Sequence, residues 1–328
     1  MSETLQAIQK TYEEAVKIAN LQPWTFVEES EVFAIEHPES HVLYFVQVIG
    51  KTQPMLGIQI SKGYEAYLRL QEWLKLGDTA IKANKLALYT LHFNSDSLAE
   101  IDQKRLEIAG ITEPPASGWP RFKDFTPEYL PWHPSDEDFL NLQILLPQIR
   151  LLLQLAEPDP SLLSSPDGCL IRRSQKGIWQ NEVQNLMPEE HEKLSYLRPE
   201  EPHLLMQLPQ NPSAAFEAVM ELSQVPFQTQ ADQRPFYPWI FLLIDATDGQ
   251  LLDYRLTARN EHFASVSQGV VETLGKAGYR PGEILTADSF SQVLLSGVCQ
   301  EIGVPVRKST LEYGDRLVRL IQKKLADS

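Results

Sequence analysis

The chain has 328 residues, 43% hydrophobic and 9% aromatic, and a formal net charge of -15. That length exceeds what one core ordinarily supports, so two domains are expected, and the composition is that of a folded chain rather than a disordered one. Residues 234–328 carry eleven Lys+Arg and eleven Asp+Glu, so residues 1–233 hold the whole acidic excess, and a duplex nucleic acid, which needs a basic face, is not an expected partner.

The first twenty residues lack the basic start and apolar block of a signal peptide. Leu5, Ile8, Tyr12, Val16 and Ala19 instead make one helical face. Three strands follow, EVFAIEH, VLYFVQVIG and MLGIQI, separated by the turn-forming PES and GKTQP. GYEAYLRLQEWLKLG reads as a helix between Gly63 and Gly77, with Tyr64, Tyr67, Leu68, Leu70, Trp73 and Leu74 as its apolar positions. Strand KLALYTLHF and helix SLAEIDQKRLEIAG, closed by Gly110, complete an α+β module built on an antiparallel meander.

EPPASGWPRFKDFTPEYLPWHPSDEDF has the look of a long irregular loop. Its Trp119, Phe122, Phe125, Tyr129 and Trp132 are candidates for a binding groove, although such residues more often pin a loop to a core. Ser135 with Asp136, Glu137 and Asp138 starts a helix that should run to about Ala156, with a kink at Pro147. The longest apolar run, Ile144 to Leu155, is interrupted by Pro147, Gln148 and Arg150, so no membrane span is expected. EPDPSLLSSPDG, residues 157–168, is the expected linker between a module of residues 1–156 and one of residues 169–328.

Beyond it, CLIRRSQKGIWQNEV reads as a hairpin, HLLMQL as a strand and AAFEAVMELS as a helix. WIFLLID and QLLDYRLT form a second hairpin, followed by helix His262–Ala277, strand GEILTA, helix Ser289–Ile302, strand VPVRK and helix Leu311–Leu325. Residues 169–233 thus connect to a compact part, 234–328, and the module is a mixed α/β one with a partly parallel sheet. Arg307, Lys308, Arg316, Arg319, Lys323 and Lys324 against Glu312 and Asp315 read as a solvated helix face rather than a phosphate site.

WTFVEESEVFAIEHPE, from Trp24 to Glu39, with Gly50 and the loop holding Trp119 and Trp132, resembles one module of an uncharacterised bacterial family. RPFYPWIFLLIDATDGQLLDYRL and RPGEILTADSFSQVLLSGVCQEIGVPV resemble the second module of the same proteins, in which two domains of unknown function lie in tandem. The resemblance implies a cytosolic bacterial protein and supplies no activity, ligand or catalytic residue. The order hairpin, helix, strand, helix, strand, helix is also distantly similar to the ribonuclease H-like fold. That fold has three antiparallel strands before its first helix, and Arg255 to His262 leaves little room for the third.

Asp245 and Asp288 are the candidate catalytic and metal-holding pair. Each ends an apolar strand, and on parallel neighbouring strands both would emerge at one sheet edge and could hold Mg²⁺ for phosphoryl chemistry, with Glu312 or Asp315 as the final acid. The local reading outweighs this: Asp288 precedes a helical run whose N–H groups it can cap, and Asp245 opens the turn DATDG. His37 and His41 flank Pro38 and cannot share a helical face, HEKLS at His191 lacks a second histidine, and Cys299 sits among core-like Leu294, Leu295 and Val298. No glycine-rich phosphate loop or nucleophile elbow occurs, so no cofactor is expected. Two distant cysteines, Cys169 and Cys299, fit a reducing cytoplasm. The expected role is non-catalytic binding of a protein partner. The alternatives are a divalent-metal phosphodiesterase or nuclease using Asp245 and Asp288, decayed or active, and a small-molecule sensor using the Trp119–Trp132 region.

Overall fold

The computed structural model describes residues 2–52, 54–76, 86–186, 197–230, 233–258 and 261–327. The chain divides into two units, Met1–Pro127 with Pro131–Glu189, and Glu128–Leu130 with Glu190–Ser328. The first is built on α1 (Glu3–Leu21), β1 (Val32–Glu36), β2 (Leu43–Ile49), β3 (Leu56–Lys62), α2 (Tyr64–Leu76), β4 (Leu88–Asn94), α3 (Glu100–Ile108), β5 (Trp119–Phe125), α4 (Asp136–Ala156), β6 (Cys169–Gln175) and β7 (Ile178–Gln184). Its seven strands lie in the order β5-β4-β3-β2-β1-β6-β7. The stretch from β1 to β5 is the expected antiparallel meander, extended by one strand.

Alternation along these strands sends Phe33, Ile35, Val46, Val48, Ile58, Ile60 and Leu91 to one face, where α1 and α4 cover them. The amphipathic spacing of α1 buries Ile8, Tyr12, Ala15 and Ile18 against it. Helix α4 opens on a capping box in which Ser135 and Asp138 satisfy each other's N–H groups, and it runs through Pro147 to Ala156. Among the described residues α4 alone is long and apolar enough to cross a bilayer, with a mean hydropathy of 1.3. The interruptions counted against a span do not lower its average enough, yet Phe139, Leu142, Leu145, Leu146 and Ile149 are fully enclosed by the first core.

Five expectations are corrected. The hairpin β6–β7 belongs to the first unit, because β6 pairs in parallel with β1, Ala34 opposite Ile171. Residues 157–168 are therefore not a linker: Pro160–Leu163 forms a short 3₁₀ turn and Leu163 enters the first core. The stretch taken for an irregular loop contains β5, and Trp132 bridges to Asp124 alongside it. HLLM of HLLMQL lies in α5 (Glu201–Met206), and AAFEAVMEL of AAFEAVMELS is no helix but the second half of β8 (Gln210–Leu222). The Gly77 stop signal, the side chains of Trp73 and Leu74, and HEKLS at His191 lie outside the described residues.

The second unit continues with β9 (Trp239–Asp245), β10 (Leu251–Thr257), α6 (His262–Ala277), β11 (Arg280–Thr286), α7 (Ser289–Glu301), β12 (Val306–Lys308) and α8 (Gly314–Ala326). Its sheet has the order β10-β9-β8-β11-β12, with β8, β9 and β10 antiparallel and β11 and β12 parallel to β8. The third antiparallel strand that the ribonuclease H-like order requires is thus present, upstream of the hairpin rather than downstream. On β8, Phe216, Ala218, Met220 and Leu222 meet Val266, Val270 and Leu274 of α6 and Leu295 and Val298 of α7. Val219 meets Leu311 and, from α8, Val318 on the opposite face.

Candidate functional site

Central strand β8 carries the acid that the sequence reading missed. Glu217 shares the face of Val219, is 2% exposed, and points at the start of α8. Its carboxylate accepts the N–H of Glu312 at 2.7 Å, of Tyr313 at 3.0 Å and of Gly314 at 2.7 Å. A helix N-terminus presents unpaired N–H groups and partial positive charge, so a carboxylate is its natural partner. Gly314 is required there, since a Cβ would lie 2.5 Å from Val219 Cγ2. About two α8 turns on, Gln322 ties the same helix to the end of β8: it donates to the Leu222 carbonyl at 3.1 Å and accepts the Gln224 N–H at 2.9 Å. A cleft of about 540 Å³ runs beside it, lined by Glu221, Gln224, Asp315, Arg319 and Lys323 among others.

The two sequence candidates are placed apart. Strand β8 lies between β9 and β11, and β9 runs opposite to β11, so the two are not parallel neighbours. Asp245 is opposite Phe216, while Thr286, two residues before Asp288, is opposite Ala218. Two strand spacings and a four-residue offset separate the two α-carbons by roughly 16 Å. Each carboxylate works locally. Asp288 accepts the Ser291 N–H at 2.9 Å and its hydroxyl at 2.6 Å, capping α7. Asp245 accepts the Thr247 N–H at 2.8 Å, and its carbonyl accepts the N–H of Gly249, whose φ of +76° forms the bulge of the turn. Glu312 and Asp315 are both exposed, and only the backbone of Glu312 meets Glu217. Among the described residues no three His, Cys, Asp or Glu side chains converge as metal ligands. Removing the cap by Asp288→Ala is expected to cost about 0.5–2 kcal/mol in denaturant unfolding. Asp245→Asn should cost less, because Asn serves such a turn nearly as well.

The aromatic candidates do not share one groove. Phe122 is fully buried against Tyr12 and Phe139, Trp119 packs on the same core, and Phe125 rests beside Leu70, Leu86 and Leu88. Tyr129 belongs to the second unit, where it bridges Phe236 with ring centroids 6.0 Å apart under the Arg234 guanidinium. Burial pushes the Cys299 thiol up to about 12 and the Cys169 thiol to about 11, so both stay protonated at neutral pH. His37 accepts the N–H groups of Glu39 and Ser40 in the β1–β2 turn, and His41 pairs with Glu36 at 3.1 Å, so the two rings serve different partners.

The first unit also holds a partly buried cluster of charge. Lys62, at the end of β3, pairs with Asp124 of β5 and lies 3.6 Å from Asp138 of α4. Its ammonium sits 3.8 Å from the centre of the Tyr89 ring, whose hydroxyl donates to Asp138 at 2.5 Å. Burial raises the Asp138 carboxyl, but Lys62, the Tyr89 hydroxyl and Ser135 more than offset it and hold it below its ordinary value. Burial, then the Asp138 charge, drives Tyr89 far upward. Sequence spacing gives no sign of this cluster, because its members come from three strands and a helix.

Residues 9–172 match the domain of unknown function DUF7309, and residues 203–322 match the domain of unknown function DUF6930. No curated protein and no solved structure matches the chain. The two domains lie in tandem, as the resemblance in sequence implied.

Proposed function

We propose that this protein, which belongs to the DUF7309 family and carries a DUF6930 domain behind it, is a non-catalytic binding protein that acts through protein partners in a bacterial cytoplasm. The observation that carries this reading is the use made of Glu217. It stands in the middle of the central strand, and its three hydrogen bonds come from the backbone N–H groups of Glu312, Tyr313 and Gly314, where α8 begins. Asp245 and Asp288 are likewise engaged by a turn and a cap. Oxygen lone pairs of Glu217 that are held by these N–H groups are not offered to a metal ion or a substrate. The acidic excess in residues 1–233 further disfavours duplex DNA, since like charges oppose association.

The experiment is a comparison of wild type and Asp288→Asn with Mg²⁺ or Mn²⁺ present. Hydrolysis of bis(p-nitrophenyl) phosphate and of a short oligonucleotide is followed beside the melting temperature. Neither turnover nor a metal-dependent shift is expected. Metal-dependent turnover in the wild type that the variant lacks would replace this reading with the phosphodiesterase one.

A further inference from the structure

We propose that a cavity in the first unit, on the sheet face opposite α1 and α4, binds a small organic ammonium ion with a compact apolar body. The cavity follows from strand alternation. Val46 and Val48 of β2 face the first core, so Phe45 points to the other side of the sheet. Ala34 of β1 and Ile171 of β6 join it there in a second apolar cluster. Ala34 lies opposite both Phe45 and Ile171, and its small side chain fills little of the space between them. Helix α2 packs over β2 and β3. Beside it a cavity of about 320 Å³ opens toward Val32 and Cys169, where β1 and β6 begin. That is the small end of the range for ligand pockets, roughly 300–1,000 Å³.

The walls set the chemistry of the ligand. One wall is aromatic: α2 lays Tyr64 and Tyr67 over Phe45, with ring centroids 5.6 Å and 5.1 Å from it and 6.2 Å from each other. Phe45 is 2% exposed, whereas both tyrosines are half-buried and turn ring surface to the cavity. Burial, then Cys169 and Tyr64, holds the Tyr67 phenol above its ordinary value, so it stays neutral. Glu31 is the single charged side chain among the described residues that line the cavity. Its Oε2 accepts the Glu28 N–H at 3.2 Å, and no hydrogen bond from a described residue reaches Oε1. Arg173, on the same sheet face two residues beyond Ile171, is held by Glu36 at 3.2 Å and Glu182 at 2.6 Å and supplies no cation here. A phosphate or carboxylate would therefore lose its water beside Glu31 without a counter-ion. A cation meets the reverse. Tyrosine faces attract it, Glu31 compensates its charge, and the acidic excess of residues 1–233 raises its local concentration.

Three probes of similar size and different charge test this: phenethylamine, 2-phenylethanol and phenylacetate, each titrated with the full chain at neutral pH and followed by ligand-observed NMR. The amine should bind with a Kd of about a millimolar, as befits so small a ligand. It should bind about tenfold more tightly than the alcohol, and the carboxylate should not bind. Glu31→Gln keeps an acceptor for the Glu28 N–H, so its melting temperature should stay that of the wild type. It should nevertheless weaken the amine about tenfold and leave the alcohol unchanged. Tyr64→Leu, which keeps apolar bulk and removes the ring, should weaken the amine several-fold. An alcohol that binds as tightly as the amine, binding of phenylacetate, an amine affinity that survives Glu31→Gln, or no binding of the amine at about ten times the expected Kd would each overturn the ammonium site. None of these touches the non-catalytic reading, which only metal-dependent turnover overturns.

Discussion

Glu217→Ala is expected to destabilise the second unit by about 3–5 kcal/mol, and α8 should be the first element to detach. The carboxylate accepts three N–H groups from consecutive residues at the start of that helix. A donor left without a partner costs about 1–3 kcal/mol when buried, and the lost charge at the helix terminus adds roughly 0.3–1 kcal/mol. Of the three donors only Gly314 belongs to a buried residue, and water can reach the exposed Glu312, so the simple sum is an upper bound. Glu217→Gln keeps one acceptor oxygen but turns an amide donor toward other donors, and about 2 kcal/mol is expected. Denaturant unfolding gives both values, and hydrogen exchange should show faster exchange along α8. The sign carries the interpretation. A carboxylate kept for chemistry at a structural cost would stabilise the fold when removed; one kept as a latch destabilises it. A stabilised Glu217→Gln would end the latch account.

What was legible in the sequence follows how local the determining contacts are. The meander β1–β4 shows in its alternation, because Phe33 and Ile35 or Val46 and Val48 must share a face and the breaks between them are turn residues. Asp245 and Asp288 are equally local, since a turn and a cap each draw on neighbours within four residues. AAFEAVMELS misleads because Ala, Glu and Met favour helix, and only insertion between β9 and β11 makes it a strand. Its alternation of Phe216, Ala218, Met220 and Leu222 against Glu217, Val219 and Glu221 was a signal of equal strength. Accepting it would have put a carboxylate on a central strand and pointed to Glu217. β5 is hidden by Trp119 and Pro120 at its start and by the prolines around it. The placement of β6 had no local signal at all: a hairpin announces its turn at Lys176–Gly177, not the sheet it joins, and its partner β1 lies well over a hundred residues earlier.

Lys62→Met is the other substitution with a large expected effect, about 2–4 kcal/mol at neutral pH, below the full value for a buried pair because Lys62 is 24% exposed. Methionine keeps the length and much of the packing over Tyr89, so the loss isolates the charge. Without the ammonium, Asp124 and Asp138 lose the cation that lies near both, and Asp124 is 4% exposed. Lys62→Arg, which keeps the charge, should recover part of the loss. The pH dependence separates this from a packing defect. Asp138 is held below its ordinary value in the folded chain, despite burial, by Lys62 and the Tyr89 hydroxyl. A depressed carboxyl contributes stability that is present above the unfolded value, about 3.9, and is lost as pH falls through the folded one. Removing Lys62 takes away the largest of the lowering influences, so the folded carboxyl rises and this acid-labile contribution shrinks. The difference between wild type and Lys62→Met should therefore be largest near neutral pH and narrow below about pH 4. Unfolding free energies measured from pH 7 down to pH 3 give the comparison. A gap that stays constant over that range would mean that Lys62 acts by filling space over Tyr89 and not by neutralising the two aspartates.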